Sequence, residues 1–83
     1  MRLYVGNLPP LANEEELRNW FERGGFGVDR VNIMRDPSSG ESRVIGFVEI
    51  ADDEEAVCAI LILNGKDFLG QTLVVNEARA QSR

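Results

Sequence analysis

The sequence predicts an α+β fold, a ferredoxin-like βαββαβ sandwich in which two helices cover one face of a four-stranded antiparallel sheet. Two observations lead to this prediction. Apolar residues alternate at a period of two in four short stretches, as in half-buried strands. Two further stretches have apolar residues at helical spacing and follow a residue that can cap a helix.

The stretch 43–50 is expected to be a central strand with two different faces. Its residues alternate between an aliphatic set and a mixed set, namely Val44, Val48 and Ile50 against Arg43, Ile45, Phe47 and Glu49. The aliphatic set is predicted to face the core. Gly46 is expected to leave room for a ligand to approach the mixed face.

The first strand, predicted at about 2–6, has the same two-faced pattern. Leu3 and Val5 are expected to point inward, and Tyr4 outward. If this strand lies beside the central one, Tyr4 and Phe47 are neighbours on an open surface.

Capping signals place the helices. Asn13 precedes a predicted helix that runs to about residue 23, where two glycines follow. Asp52 precedes a second helix, which is expected to end at Asn64. The remaining strands are predicted at 28–35 and 72–77, with Asn32 and Met34 on the outer face of the former and a turn at 36–40 between strands.

Composition narrows the possible functions. The 83-residue chain has no histidine and a single cysteine, Cys58, which excludes imidazole chemistry and an internal disulfide. No cofactor fingerprint, metal-ligand spacing or nucleophile beside a base is present, so we expect a protein that is not an enzyme. The single cysteine fits a reducing compartment, and neither a secretory signal nor a membrane span is evident, so a cytoplasmic location is expected.

The net charge of −5 does not by itself favour nucleic acid as a partner. Seven of the 14 acidic residues stand at the predicted helix starts, where the helix dipole favours negative charge. Six of the nine basic residues lie on predicted strands or the tail: Arg2, Arg30, Arg35, Arg43, Arg79 and Arg83. We therefore predict that charge is divided between the two sides of the domain.

Two motifs resemble those of the RNA recognition motif family. The first strand matches the family hexamer with Leu3-Tyr4-Val5-Gly6-Asn7-Leu8. The central strand matches the family octamer at Arg43, Gly46, Phe47 and Val48. The chain looks most like small bacterial RNA-binding proteins with a single domain, which implies one such domain over residues 1–80 and a short tail at 81–83.

The resemblance implies that single-stranded RNA binds on the open sheet face. Unpaired bases would stack on Tyr4 and Phe47, and Asn76 would reach a base edge. The other residues expected at the site are cations that offset phosphate charge and side chains that tune selectivity: Arg2, Arg43, Arg79, Asn32 and Met34.

Departures from the family pattern predict weak or selective binding. Ile45 stands where the family usually has a third outward aromatic, and Val44 replaces a glycine. A stacked base contributes about 1 to 3 kcal/mol. Loss of one platform therefore predicts affinity lower by about 5-fold to 150-fold.

The alternative is a protein-binding module on the same fold. The second helix is apolar nearly all round, because Val57, Cys58, Leu61 and Ile62 fall outside its inner stripe, which would suit a homodimer or a protein partner. Ile45 and Val74 add apolar surface to the sheet. The segment 66–68 also weakly resembles the peptide-binding loop of some relatives, a mode that requires Phe68.

Overall fold

The computed structural model describes residues 1–36 and 43–78. The helices are α1 (Glu14–Arg23) and α2 (Asp53–Leu63). The strands are β1 (Arg2–Gly6), β2 (Arg30–Asp36), β3 (Arg43–Glu49), β4 (Asp67–Phe68), β5 (Gln71–Thr72) and β6 (Val74–Glu77). The predicted 36–40 turn lies, from residue 37 onward, outside the described residues.

Four strands form one antiparallel sheet in the order β2-β3-β1-β6. The two strands that carry the family-like motifs, β1 and β3, are therefore the central pair. Residues of α1 and α2 join one core with the inward residues of these strands, so both helices cover the same face. The predicted α+β, ferredoxin-like fold is confirmed.

The core follows the predicted alternation along the strands. Leu3, Val5, Val48 and Val75 are fully buried on the sheet, and α1 contributes Leu17 and Phe21. From α2 come Ala56, Ala59 and Leu63. Burial of these side chains is the main favourable term in folding such a small domain.

The predicted role of Gly46 is wrong. A Cβ on Gly46 would lie 3.0 Å from Leu17 Cδ2 and 3.1 Å from Leu8 Cδ1, so this residue faces the core. The even-numbered positions of β3 all face inward, and Gly46 falls between Val44 and Val48. Its missing side chain gives space to α1, and no ligand can use it.

The helix starts agree with the capping signals. Asn13 Oδ1 accepts a hydrogen bond from the Glu16 amide at 2.8 Å. Asp52 Oδ1 accepts from the amides of Glu54 and Glu55 at 2.9 and 3.2 Å. Each cap satisfies donors that the helix itself leaves free.

The last predicted strand is divided in two. Leu73 bonds with the α2–β4 loop, its amide donating to Lys66 O and its carbonyl accepting from the Gly65 amide. Thr72 consequently belongs to the short β4–β5 hairpin, and β6 starts at Val74. Strands of two residues are too short to produce a periodic pattern, so the sequence carries no signal for this hairpin.

Candidate nucleic-acid interface

Four predicted site residues form one row across the sheet. In the strand register, Asn32 pairs with Phe47, Phe47 with Tyr4, and Tyr4 with Asn76. All four stand on the face away from the helices. The row thus has two aromatic rings at its centre and an exposed amide at each end.

The two rings are in edge contact. Their centroids are 6.1 Å apart, and the ring planes meet at 63°. Hydrogen-bonded and non-hydrogen-bonded pairs alternate along an antiparallel ladder. Met1 and Ile50 form a hydrogen-bonded pair, because the Ile50 amide donates to Met1 O. Tyr4 and Phe47 lie three residues further along their strands and are therefore a non-hydrogen-bonded pair. Side chains come closest in such pairs, which explains the contact.

The ring of Tyr4 lies along its own strand over Gly6. A Cβ on Gly6 would be 2.9 Å from Tyr4 Oη and 3.0 Å from Cε2. Gly6, rather than Gly46, is therefore the glycine that shapes the outer face. Sequence reasoning missed this role, although the spacing of two residues between Tyr4 and Gly6 on one strand face was a signal that could have found it.

Phe47 has a cation over its ring. The Arg2 Cζ atom lies 4.6 Å from the ring centroid, a cation–π distance. Arg2 stands diagonally opposite Phe47 on β1, and a long side chain can span that diagonal. The two rings of the site therefore differ in what lies against them, Gly6 under Tyr4 and Arg2 over Phe47.

An apolar row borders the aromatic row on one side. Met34 pairs with Ile45, and Val74 pairs with Gly6. Met34 is 48% exposed and Val74 42%, while Ile45 is half-buried. The predicted outward positions of Met34 and Ile45 agree with this register, and this end of the outer face is apolar.

A charged row borders the aromatic row on the other side. Glu49 pairs with Arg2 on β1 and with Arg30 on β2. Arg30 and Glu49 were not among the predicted site residues, and their outward parity on the strands was the available signal. The surface is thus graded from charged through aromatic to apolar groups.

Charge is divided between the two sides only in part. The helices and their N-caps hold eight of the 14 acidic residues and two of the nine basic ones. Arg2 and Arg30 lie on the outer face as predicted. Arg35 does not, because it leaves β2 on the core side and its guanidinium donates to Pro10 O.

Two predicted cations cannot be placed. The side chain of Arg43 and the whole of Arg79 lie outside the described part of the chain. The backbone of Arg43 begins β3. Their roles stay predictions.

The peptide-binding alternative does not fit the α2–β4 region. Phe68 is 3% exposed and packs against Trp20, with ring centroids 5.5 Å apart. Trp20 Nε1 also donates to Asp67 O at 2.9 Å. Phe68 is therefore a core residue and cannot accept a peptide side chain. The α2 stripe defined by Val57, Cys58, Leu61 and Ile62 is exposed.

No helix among the described residues is long and apolar enough to cross a membrane.

The family model and the related proteins that match this chain point to the same family. A sequence model described as RNA recognition motif matches residues 3–74. The chain is 40% identical to RbpB of Nostoc sp., a protein named for RNA binding, over 95% of this chain and 76% of that protein. It is also 40% identical to the negative growth regulatory protein NGR1 of Saccharomyces cerevisiae, over 88% of this chain and 11% of that much longer protein.

A solved structure has the same architecture. The crystal structure of RNA-binding protein PG1 superposes with a TM-score of 0.81 at 35% identity, covering 100% of this chain and 99% of PG1. The predicted resemblance, including that to small bacterial RNA-binding proteins, is confirmed. The chain belongs to the RNA recognition motif family.

Proposed function

We propose that the chain binds single-stranded RNA on the outer face of the sheet. The observation that carries this proposal is the row Asn32-Phe47-Tyr4-Asn76, which puts two adjacent rings on a solvent-facing surface between two exposed amides. Membership of the family and relatives named for RNA binding support RNA as the ligand. They also favour a binding protein over an enzyme.

Each part of the surface has a separate task in this proposal. Bases stack on Tyr4 and Phe47, because every base has an apolar face. Asn32 and Asn76 meet the polar edges of the bases, while Met34 and Ile45 contact apolar parts of bases and sugars. Arg2 and the predicted cations Arg43 and Arg79 offset phosphate charge.

The test is fluorescence anisotropy of a randomised RNA of eight nucleotides or so, titrated at low salt. We expect Tyr4→Ala/Phe47→Ala to lower the affinity by at least about 30-fold, because two stacked bases lose about 1 to 3 kcal/mol each. Tyr4→Phe is the matched control, since it keeps the ring, and it should bind like the unchanged protein.

Binding should also weaken as the salt concentration rises, because phosphate contacts release counterions. Affinity that survives the double substitution would contradict the proposal and place RNA elsewhere on the protein.

A protein contact on the α2 stripe is a second, compatible candidate. Leu61 is 76% exposed, Ile62 52% and Val57 44%, and these side chains adjoin one another along α2. Apolar residues of this kind gain free energy when a partner covers them. The partner is predicted to be a second copy or another protein. The sedimentation coefficient of the purified chain distinguishes them, because only a second copy would raise it above the value of a monomer.

Two further expectations complete the proposal. A cytoplasmic location rests on the single cysteine and is tested by cell fractionation. The domain is expected to extend over 1–80 with a tail at 81–83, and limited proteolysis would locate that boundary. Residues 79–83, on both sides of that boundary, lie outside the described part of the chain.

A further inference from the structure

Arg2 and Arg30 form a matched pair of cations on the outer face. Each is exposed, and each pairs in register with the same residue, Glu49, from opposite sides. Within the described residues neither forms an ion pair with that carboxylate. Both charges therefore flank Glu49 on the outer face, Arg2 on the central strand β1 and Arg30 on the edge strand β2.

The two cations differ in one contact. The Arg2 guanidinium lies over the Phe47 ring, with Cζ 4.6 Å from the centroid. Arg30 lies on β2, the strand on which Asn32 pairs with Phe47. Among the described residues, no cation–π contact joins Arg30 to an aromatic ring. Arg2 thus combines a charge with a planar group already held above a stacking ring.

We propose that Arg2 is a base-stacking residue, and that the base that reaches Phe47 lies between the ring and the guanidinium. This inference rests on the proposed function, because it assigns the second layer of that same site. Guanidinium planes stack on bases as aromatic rings do, so a base in this position has both of its faces covered.

The required movement is small. A base between the two groups needs two contacts of about 3.5 to 4.0 Å, so the guanidinium must rise from 4.6 Å to about 7 Å above the ring. Arg2 can make this shift by rotating its side chain, since it is exposed and its stem projects from the outer face. Glu49, opposite Arg2, would then attract the guanidinium toward the end of the sheet, away from the apolar row.

The arrangement also separates the two rings in function. Tyr4 lies against Gly6 with no cation over it among the described residues, so it offers a base one stacking partner. Phe47 offers a base two. A nucleotide at Phe47 should therefore lose more affinity on loss of Arg2 than one at Tyr4.

Separate substitutions of Arg2 and Arg30 test the proposal by anisotropy with the same eight-nucleotide RNA. We expect Arg2→Ala to weaken binding about 5-fold or more, the loss of one stacking contact. Arg2→Lys should fail to restore it, because an ammonium supplies the charge without the plane. Arg30→Ala should have a smaller effect, and Arg30→Lys should bind like the unchanged protein.

A double-mutant cycle then ties Arg2 to Phe47. In a Phe47→Leu background, which keeps apolar volume but removes the ring, Arg2→Ala should cost no more than Arg30→Ala. Circular dichroism confirms that each variant is folded.

Three outcomes would overturn the proposal. Full binding by Arg2→Lys would mean that Arg2 serves the RNA through its charge alone, without stacking. Tighter binding by Arg2→Ala would mean that the guanidinium blocks the Phe47 ring and that the base must displace it. Additive effects of Arg2→Ala and Phe47→Leu on the binding free energy would mean that the two residues act independently. These outcomes differ from failure of the proposed function, in which Tyr4→Ala/Phe47→Ala would itself bind normally.

Discussion

Gly46 and Gly6 stand on the two central strands of one sheet, yet they face opposite sides and do different work. A Cβ on Gly46 would meet Leu17 and Leu8 at about the same distance at which a Cβ on Gly6 would meet the Tyr4 ring. Leu17 and Leu8 are enclosed by the core, whereas Tyr4 is half-buried at the surface. One face of the sheet is therefore closely packed, whereas the other is open to solvent.

On the core face, neighbours are fixed because interiors are close-packed. On the outer face, the Tyr4 ring has solvent on one side and can rotate. The same substitution should therefore change the free energy of unfolding at one glycine and RNA binding at the other.

The largest effect is expected from adding a ring to the outer face. Ile45→Phe would place a third aromatic beside Phe47, two residues along β3 on the same face. We expect affinity for single-stranded RNA to rise about 5-fold to 150-fold, because another stacked base contributes about 1 to 3 kcal/mol. Anisotropy titration measures the change.

Ile45→Leu is the control for that variant, since it changes shape without adding a ring. An equal gain from leucine, or no gain from phenylalanine, would show that the apolar row takes no part in stacking.

A smaller effect is expected from filling the core face at Gly46. Overpacking costs about 1 to 3 kcal/mol. The alanine recovers about 0.5 to 1 kcal/mol by reducing backbone freedom in the unfolded chain. We expect Gly46→Ala to lower the free energy of unfolding by about 1 kcal/mol, the middle of the range that these two terms leave, as measured by urea denaturation.

Gly6→Ala provides the contrast. We expect little change in the free energy of unfolding, because the Tyr4 ring can move toward solvent to make room for the methyl group. We expect weaker RNA binding, because the ring then leaves its position over β1. If Gly6→Ala destabilised the fold as much as Gly46→Ala, the two faces would not differ in the way described.

The smallest effect is expected on the helix side. Leu61→Gln should leave RNA affinity and the free energy of unfolding within about 0.5 kcal/mol, because Leu61 is 76% exposed on α2 and α2 lies behind the sheet. Sedimentation velocity on both proteins tests the second candidate. A larger sedimentation coefficient that the substitution lowers would reveal self-association through the α2 stripe.

Much of the fold followed from local patterns. The period-two alternation of β1 and β3 identified their buried faces, and Asn13 and Asp52 marked the helix starts, because strand parity and capping act over a few residues. The split before Val74 was missed, because it depends on the hydrogen bonds that Leu73 makes with Gly65 and Lys66, which strand alternation does not reveal. Gly46 was assigned to the wrong face, although its even number already grouped it with Val44 and Val48.

The sequence by itself determined which side chains share a strand face, and so which residues could serve the site. Only the tertiary structure decided how those faces join: the strand order that puts Tyr4 beside Phe47, the register that flanks them with Asn32 and Asn76, and the seat of Arg2 over the Phe47 ring. The physical reason is that parity is set by each strand's own backbone, whereas order and register depend on the packing of the whole core.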